Sequence, residues 1–167
     1  MAIQPCAVGC SKNKNKMGGF HMSKFHVLGV DHLGVACADL DEGSKFWAEC
    51  MGVPCSGKET VAEQKVTTVF HPMWNGSQVE LLVATAPDSP IAKWMEGNGG
   101  KGGIQHVALR VDNIDAAIEE LQEKGVKMID KKARRGAGGA DIAFIHPKST
   151  GGILLEICEL RDKREAY

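Results

Sequence analysis

The sequence predicts an α+β protein in which two tandem β-α-β-β-β units form one curved, mixed sheet around a metal site. Three observations carry that prediction. One order of strand-like and helix-like segments runs from residue 27 to 84 and returns from 103 to 160. Internal repetition of this kind decides architecture before any local propensity does. Each unit also has a histidine on its first strand and a glutamate on its last. Glu80 lies 48 residues after His32, and Glu156 lies 50 after His106. Strand alternation then sends all four of these groups to the face opposite the large aliphatic residues.

The first strand, residues 26–37, puts Leu33 and Val35 on one face and His32, Gly34 and Ala36 on the other. Asp39 and Glu42 stand at capping-box spacing, and Leu40, Gly43, Trp47 and Met51 recur at helical spacing until Gly52 stops the helix. Strand-like runs follow at 53–61, 65–71 and 78–84, the last two separated by a turn at Asn75-Gly76. The linker, 85–102, carries Ser89-Pro90 as N-cap and first residue of a short helix ending near Glu96, then the run Gly97-Asn98-Gly99-Gly100.

The second unit opens with a strand at 103–111. Val107, Leu109 and Val111 share one face, and His106, Ala108 and Arg110 the other. Asn113 caps a helix with the apolar stripe Ile114, Ala117, Ile118 and Leu121, which Gly125 ends. Strands are expected at 126–129, 141–145 and 152–159, the last entered through Gly151-Gly152 and bearing Glu156 between aliphatic neighbours.

Composition sets the boundaries. A chain of 167 residues suits one domain of two fused modules, and a formal net charge of −1 gives no reason to expect nucleic acid or a membrane surface as partner. No apolar run approaches the ~18 residues of a membrane span. The six cysteines contain no C-x-x-C pair and read as reduced thiols of a cytoplasmic protein. Residues 1–26 hold four lysines, no acid and no arginine. They read as a flexible extension, or as sequence upstream of a start at Met22, with a mitochondrial transit signal only weakly supported. Residues 161–167 form a short tail.

A glutamate among aliphatics is costly to bury unless it is paired or holds a metal. One strand histidine is ordinarily structural, but two histidines and two carboxylates repeated in phase are not explained that way. His32, Glu80, His106 and Glu156 suit a divalent ion of borderline hardness with open coordination positions. The small residues beside the histidines (Gly34, Ala36, Ala108) are expected to leave room for a ligand. His71 and His146 have no counterparts in the other unit and read as structural.

Several stretches resemble a known family. They are V-D-H-L-G-V-A at 30–36, V-E-L-L at 79–82, A-P-D-S-P at 86–90, Q-H-V-A-L-R-V-D at 105–112, G-A-G-G at 136–139 and F-I-H-P-K-S-T-G-G at 144–152, followed by L-E. The chain from about residue 27 to 160 is similar to the vicinal oxygen chelate superfamily and, within it, to the methylmalonyl-CoA epimerase family. The His/Glu/His/Glu pattern is shared with glyoxalase-like enzymes. The H-P-K-S-T-G-G turn and the D-S-P segment favour the epimerases.

The resemblance implies the vicinal oxygen chelate fold, a homodimer and an acyl-CoA substrate. It also implies interconversion of (2R)- and (2S)-methylmalonyl-CoA through a metal-stabilised enolate. It makes His32, Glu80, His106 and Glu156 the ligands of a divalent metal, cobalt first, with manganese, nickel and zinc as alternatives. Glu156 and Glu80 become the acid–base pair for the two faces of C2, with Glu80 otherwise a ligand alone. Some family members carry an amide at the Glu80 position and a separate base on the preceding strand, where this chain has Thr67 and Thr68. Lys148, Ser149 and Gln64 are candidate substrate contacts. The Lys131-Lys132 and Arg134-Arg135 cluster reads as a charged turn. Two other functions fit the same scaffold: a glyoxalase-type isomerase or lyase, and a metal-free module that binds a small molecule.

Overall fold

The computed structural model describes residues 23–161. The extension foreseen at 1–26 lies outside the described residues as far as residue 22, and the tail foreseen at 161–167 does so from residue 162. The first unit contains β1 (Val27–Ala36), α1 (Leu40–Lys45), β2 (Gly57–Val61), β3 (Val66–Pro72) and β4 (Gln78–Ala84). The linker carries α2 (Pro90–Gly97). The second unit contains β5 (Gly103–Val111), α3 (Ile114–Glu123), β6 (Arg134–Arg135), β7 (Ala140–Ile145) and β8 (Leu155–Leu160).

All eight strands form one sheet in the order β2-β3-β4-β1-β5-β8-β7-β6. The halves are related in topology: β1 pairs parallel with β4, β5 pairs parallel with β8, and β1 meets β5 antiparallel at the centre. The mixed sheet curls until its opposite edges touch. Glu59 on β2 accepts a hydrogen bond from the Gly138 N–H beyond β6 at 2.8 Å, and the Gln64 amide donates to the Arg135 carbonyl at 3.3 Å.

The aliphatic faces pack on the helices as alternation requires. Val111, Ile145 and Ile157 meet Ile114, Ala117 and Ile118 of α3, while Val69, Val79 and Leu81 meet Leu40 of α1. Asp39 caps α1 by accepting from the Asp41 and Glu42 amides at 2.8 and 2.9 Å. Glu42 does not complete the reciprocal box and pairs with Lys45 instead. The helix foreseen as far as Met51 changes character at Phe46–Cys50, where a wide π-type turn takes over. The Met51 N–H bonds the Phe46 carbonyl, and the extra residue in that turn rotates Met51 out of the stripe to the surface.

The strand expected at 126–129 is a correction. Only Met128 bridges to Ile145, and the second strand of this unit is Arg134–Arg135, paired with Ile142 and Asp141. The Asp130 side chain accepts the Phe144 N–H at 2.9 Å and the Arg134 guanidinium at 3.2 Å. A side chain thus stands where a ladder acceptor would. The described strands 57–61 and 155–160 begin later than the runs expected from 53 and 152. Residues 23–26, counted with the extension in the sequence reading, are held to the second unit. Lys24 N–H bonds the Glu120 carboxylate at 2.6 Å and His26 N–H bonds that of Asp112 at 2.7 Å.

Candidate metal centre and active site

The β1–β5 ladder sets His32 opposite Ala108 and His106 opposite Gly34. A Cβ on Gly34 would stand 2.1 Å from Cε1 of His106. The glycine therefore makes room for the other unit's imidazole, which corrects the expectation that this space serves a ligand. Ala108, fully buried, faces the His32 position in the same way and packs with Ala140, Ile142 and Cys158. Ala36 packs with Val66, Leu82 and Ile91.

The two rings meet edge to face, with Nε2 to Nε2 at 3.0 Å. Glu156 spans them, Oε1 lying 3.8 Å from His32 Nε2 and Oε2 lying 3.8 Å from His106 Nε2. One ligand atom from each of these three buried residues falls within 4.8 Å of the others. Glu80 stands on the same wall but beside the other nitrogen of the His32 ring, 3.7 Å from Nδ1, and accepts from the Gln78 amide at 3.1 Å. The fourfold convergence expected from sequence is thus a cluster of three, with Glu80 adjacent.

Each histidine is oriented by the residue before it. His32 Nδ1 lies 3.0 Å from Asp31 Oδ1, and His106 Nδ1 lies 2.6 Å from Gln105 Oε1. Arg110 braces Asp31 through a 2.7 Å bond and reaches the Gly76 carbonyl at 3.0 Å. With Nδ1 donating in both rings, two neutral imidazoles would aim Nε2 lone pairs at each other across 3.0 Å beside a carboxylate. Such an arrangement calls for a cation between them, and the outer hydrogen bonds are those that orient metal-binding histidines. Two nitrogens and a carboxylate fit a divalent transition metal. Sequence alone assigned Asp31 and Gln105 no role and Arg110 only a place on the His106 face, although the D-H and Q-H dipeptides at matching places held the signal.

Protonation follows from burial and charge. Desolvation pushes the Glu156 carboxyl up to about 8 and also raises Glu80. Burial opposes the charge of His32, but the Asp31 hydrogen bond and the Glu80 and Glu156 charges outweigh it and raise the ring to about 9. Burial, with the His32 charge nearby, lowers His106 to about 3. Asp31, although desolvated, is held below the ordinary carboxylate range by His32 and Arg110.

The concave face encloses a cavity of about 870 Å³, with His32, Glu80, His106 and Glu156 all in its wall. Comparisons with known proteins bear on this arrangement. Residues 31–144 match the model of the Glyoxalase/Bleomycin resistance protein/Dioxygenase superfamily. The mitochondrial methylmalonyl-CoA epimerase of Mus musculus is 36% identical over 128 residues, covering 77% of this chain and 71% of its own. The chain belongs to the methylmalonyl-CoA epimerase family. Solved members agree in fold. The Mycobacterium tuberculosis methylmalonyl-CoA epimerase superposes with a TM-score of 0.76 at 34% identity, covering 82% of this chain and 91% of that one. A Streptomyces coelicolor methylmalonyl-CoA epimerase variant in complex with 2-nitronate-propionyl-CoA gives 0.76 at 32% identity, covering 81% and 96%.

The epimerase-like H-P-K-S-T-G-G turn leads into β8. Lys148 and Ser149 are exposed and do not line the cavity. The turn folds on itself, with the His146 ring accepting from the Lys148 N–H and the Ser149 hydroxyl accepting from the Lys127 N–H. Its effect is to deliver Leu154, Glu156 and Cys158 to the cavity face. Gln64 does line the cavity, at the seam where the sheet edges meet. His71 is structural, bonded to the Val53 carbonyl at 2.9 Å and the Ser44 hydroxyl at 3.1 Å. No helix among the described residues is long and apolar enough to cross a membrane.

Proposed function

We propose that this protein interconverts the 2R and 2S epimers of methylmalonyl-CoA by removing the C2 proton and returning it on the opposite face. The observation that supports this reading is the placement of two buried carboxylates about one imidazole, Glu156 beside Nε2 of His32 and Glu80 beside Nδ1. Epimerisation needs two proton carriers approaching one carbon from different sides. Burial raises both carboxyls, which makes them stronger bases than exposed glutamates and brings Glu156 near working pH. Glu156 takes the proton from one face and Glu80 returns one to the other, the roles exchanging in reverse. A divalent ion held by His32, His106 and Glu156, with Glu80 as a further oxygen donor, would supply a Lewis acid for the charge left at the thioester oxygen. Cobalt is the ion we favour, before manganese, nickel or zinc.

Val66, Phe70, Leu82, Ile142 and Phe144 supply apolar wall beside the four polar groups, so charge developing at C2 meets oriented groups with less competition from solvent. Gln64 is proposed as a substrate contact near the mouth. A homodimer is proposed as well, with exposed Val27, Leu28 and Val30 of β1 offering apolar surface for it. The compartment is proposed as cytoplasmic, or as the mitochondrial matrix on the precedent of the mouse relative. The deciding test incubates metal-loaded protein with one epimer of methylmalonyl-CoA in D2O. Deuterium at C2 of both epimers is expected. Recovery of a single undeuterated epimer would refute the assignment.

A further inference from the structure

Among the described residues, one buried side-chain polar atom has no hydrogen-bond partner, and it is Thr68 Oγ1. Thr68 is 1% exposed and lies on β3, whose residues 66, 68 and 70 line the cavity. Its neighbours on the strand face away and are satisfied. Thr67 bonds Thr60 at 2.9 Å, Val69 packs among Leu40, Val79 and Leu81, and His71 has the two bonds described above. Thr68 pairs across the sheet with Glu59 on one side and Leu82 on the other, and Leu82 is two residues from Glu80 on the same face. The Thr68 side chain approaches Glu80 and favours the charged carboxylate as a hydrogen-bond donor would, yet the contact falls short of hydrogen-bond geometry.

An unmade hydrogen bond in a dry wall is costly, and folded proteins keep few of them. Valine is close to threonine in size and would place no unpaired hydroxyl there. A hydroxyl here, facing the cavity beside a proposed proton carrier, is explained by a ligand that completes it.

Resting on the function proposed above, we propose that Thr68 is a substrate-binding residue. Its hydroxyl donates a hydrogen bond to an acceptor oxygen of a malonyl-type acyl group and thereby fixes C2 against the Glu80 side of the cavity. The coenzyme A portion is not involved in this contact.

The test titrates metal-loaded wild type, T68V and T68S with malonyl-CoA and, separately, with coenzyme A. Wild type should bind malonyl-CoA more tightly than coenzyme A. T68V should lose about five- to tenfold in malonyl-CoA affinity, as expected for one hydrogen bond, and T68S should recover most of it. Coenzyme A affinity should be equal in all three. Thermal unfolding of the ligand-free proteins supplies the control, because T68V should melt no lower than wild type if the hydroxyl has no internal partner. Equal malonyl-CoA affinity in T68V and wild type would overturn the role of Thr68 and leave the epimerase reading intact. A lower melting point for T68V with unchanged affinities would show a structural hydroxyl and overturn it as well. If wild type does not distinguish malonyl-CoA from coenzyme A, the acyl-CoA reading falls, and this inference falls with it.

Discussion

Asp31 Oδ1 lies 3.0 Å from Nδ1 of His32, and in the second unit Gln105 Oε1 takes the corresponding place 2.6 Å from Nδ1 of His106. The repeat thus conserves the hydrogen bond and changes its charge. A carboxylate behind His32 favours the protonated ring, while a neutral amide behind His106 does nothing to offset burial. The two histidines are therefore driven in opposite directions, to about 9 and about 3. Asp31 also makes His32 the more electron-rich ligand toward a bound cation.

The substitution D31N keeps an acceptor beside His32 and removes the charge. Metal affinity should fall about tenfold to a hundredfold, the range found for outer partners of metal-binding histidines. Competition against a chromophoric chelator measures it. An unchanged dissociation constant would show that Asp31 serves only to pair Arg110.

Metal affinity should rise with pH. In the metal-free protein at pH 7, His32 (about 9) and Glu156 (about 8) both hold protons that an incoming ion displaces. His106 (about 3) is already free of its proton and adds no slope. The apparent dissociation constant should therefore fall from pH 6 to pH 8, by about tenfold per unit for each proton released, and weakly buffered solution should acidify on metal addition. A flat profile over that range would contradict the arrangement.

Gly34→Ala tests the centre without altering a ligand. The added Cβ would meet the His106 ring at 2.1 Å, a buried side chain held by its bond to Gln105 on the strand that pairs with Gly34. Overpacking of this kind costs about 1–3 kcal/mol. Displacement of the ring should also lower metal stoichiometry toward that of His106→Ala. Full metal content in G34A, measured by atomic emission, would mean that the ring finds another route to the ion.

Glu156→Gln and Glu80→Gln separate the proton carriers. Each keeps the shape of the side chain and an oxygen for the ion but removes a base. Epimerisation should fall about 10²–10⁴-fold in Glu156→Gln, while acyl-CoA binding persists. If Glu80 serves the other face, each variant should still exchange the C2 hydrogen of one epimer with solvent, and the two variants should prefer opposite epimers. Near-normal epimerisation by Glu80→Gln would reduce Glu80 to a ligand.

The sequence by itself determined the two-unit architecture, the helix caps and the strands bearing His32, Glu80, His106 and Glu156. Alternation and capping are local rules, read over a few residues, and the repeat supplied each of them twice. It also determined which face those four residues share. The tertiary structure alone decided how they meet. Which strands join at the centre depends on non-local pairing, and the β1–β5 ladder made Gly34 the space for His106. The curl of the sheet brought Glu59 to Gly138 and closed the cavity. Sequence spacing could not show that Glu80 lies beside Nδ1 of His32 while Glu156 lies beside Nε2, because ring orientation is set by Asp31 and Arg110 from two different strands. The missing strand at 126–129 has the same origin. An apolar run supplied the strand pattern, but the Asp130 carboxylate claimed the ladder donor at Phe144, a competition between side chain and backbone that only three-dimensional placement resolves.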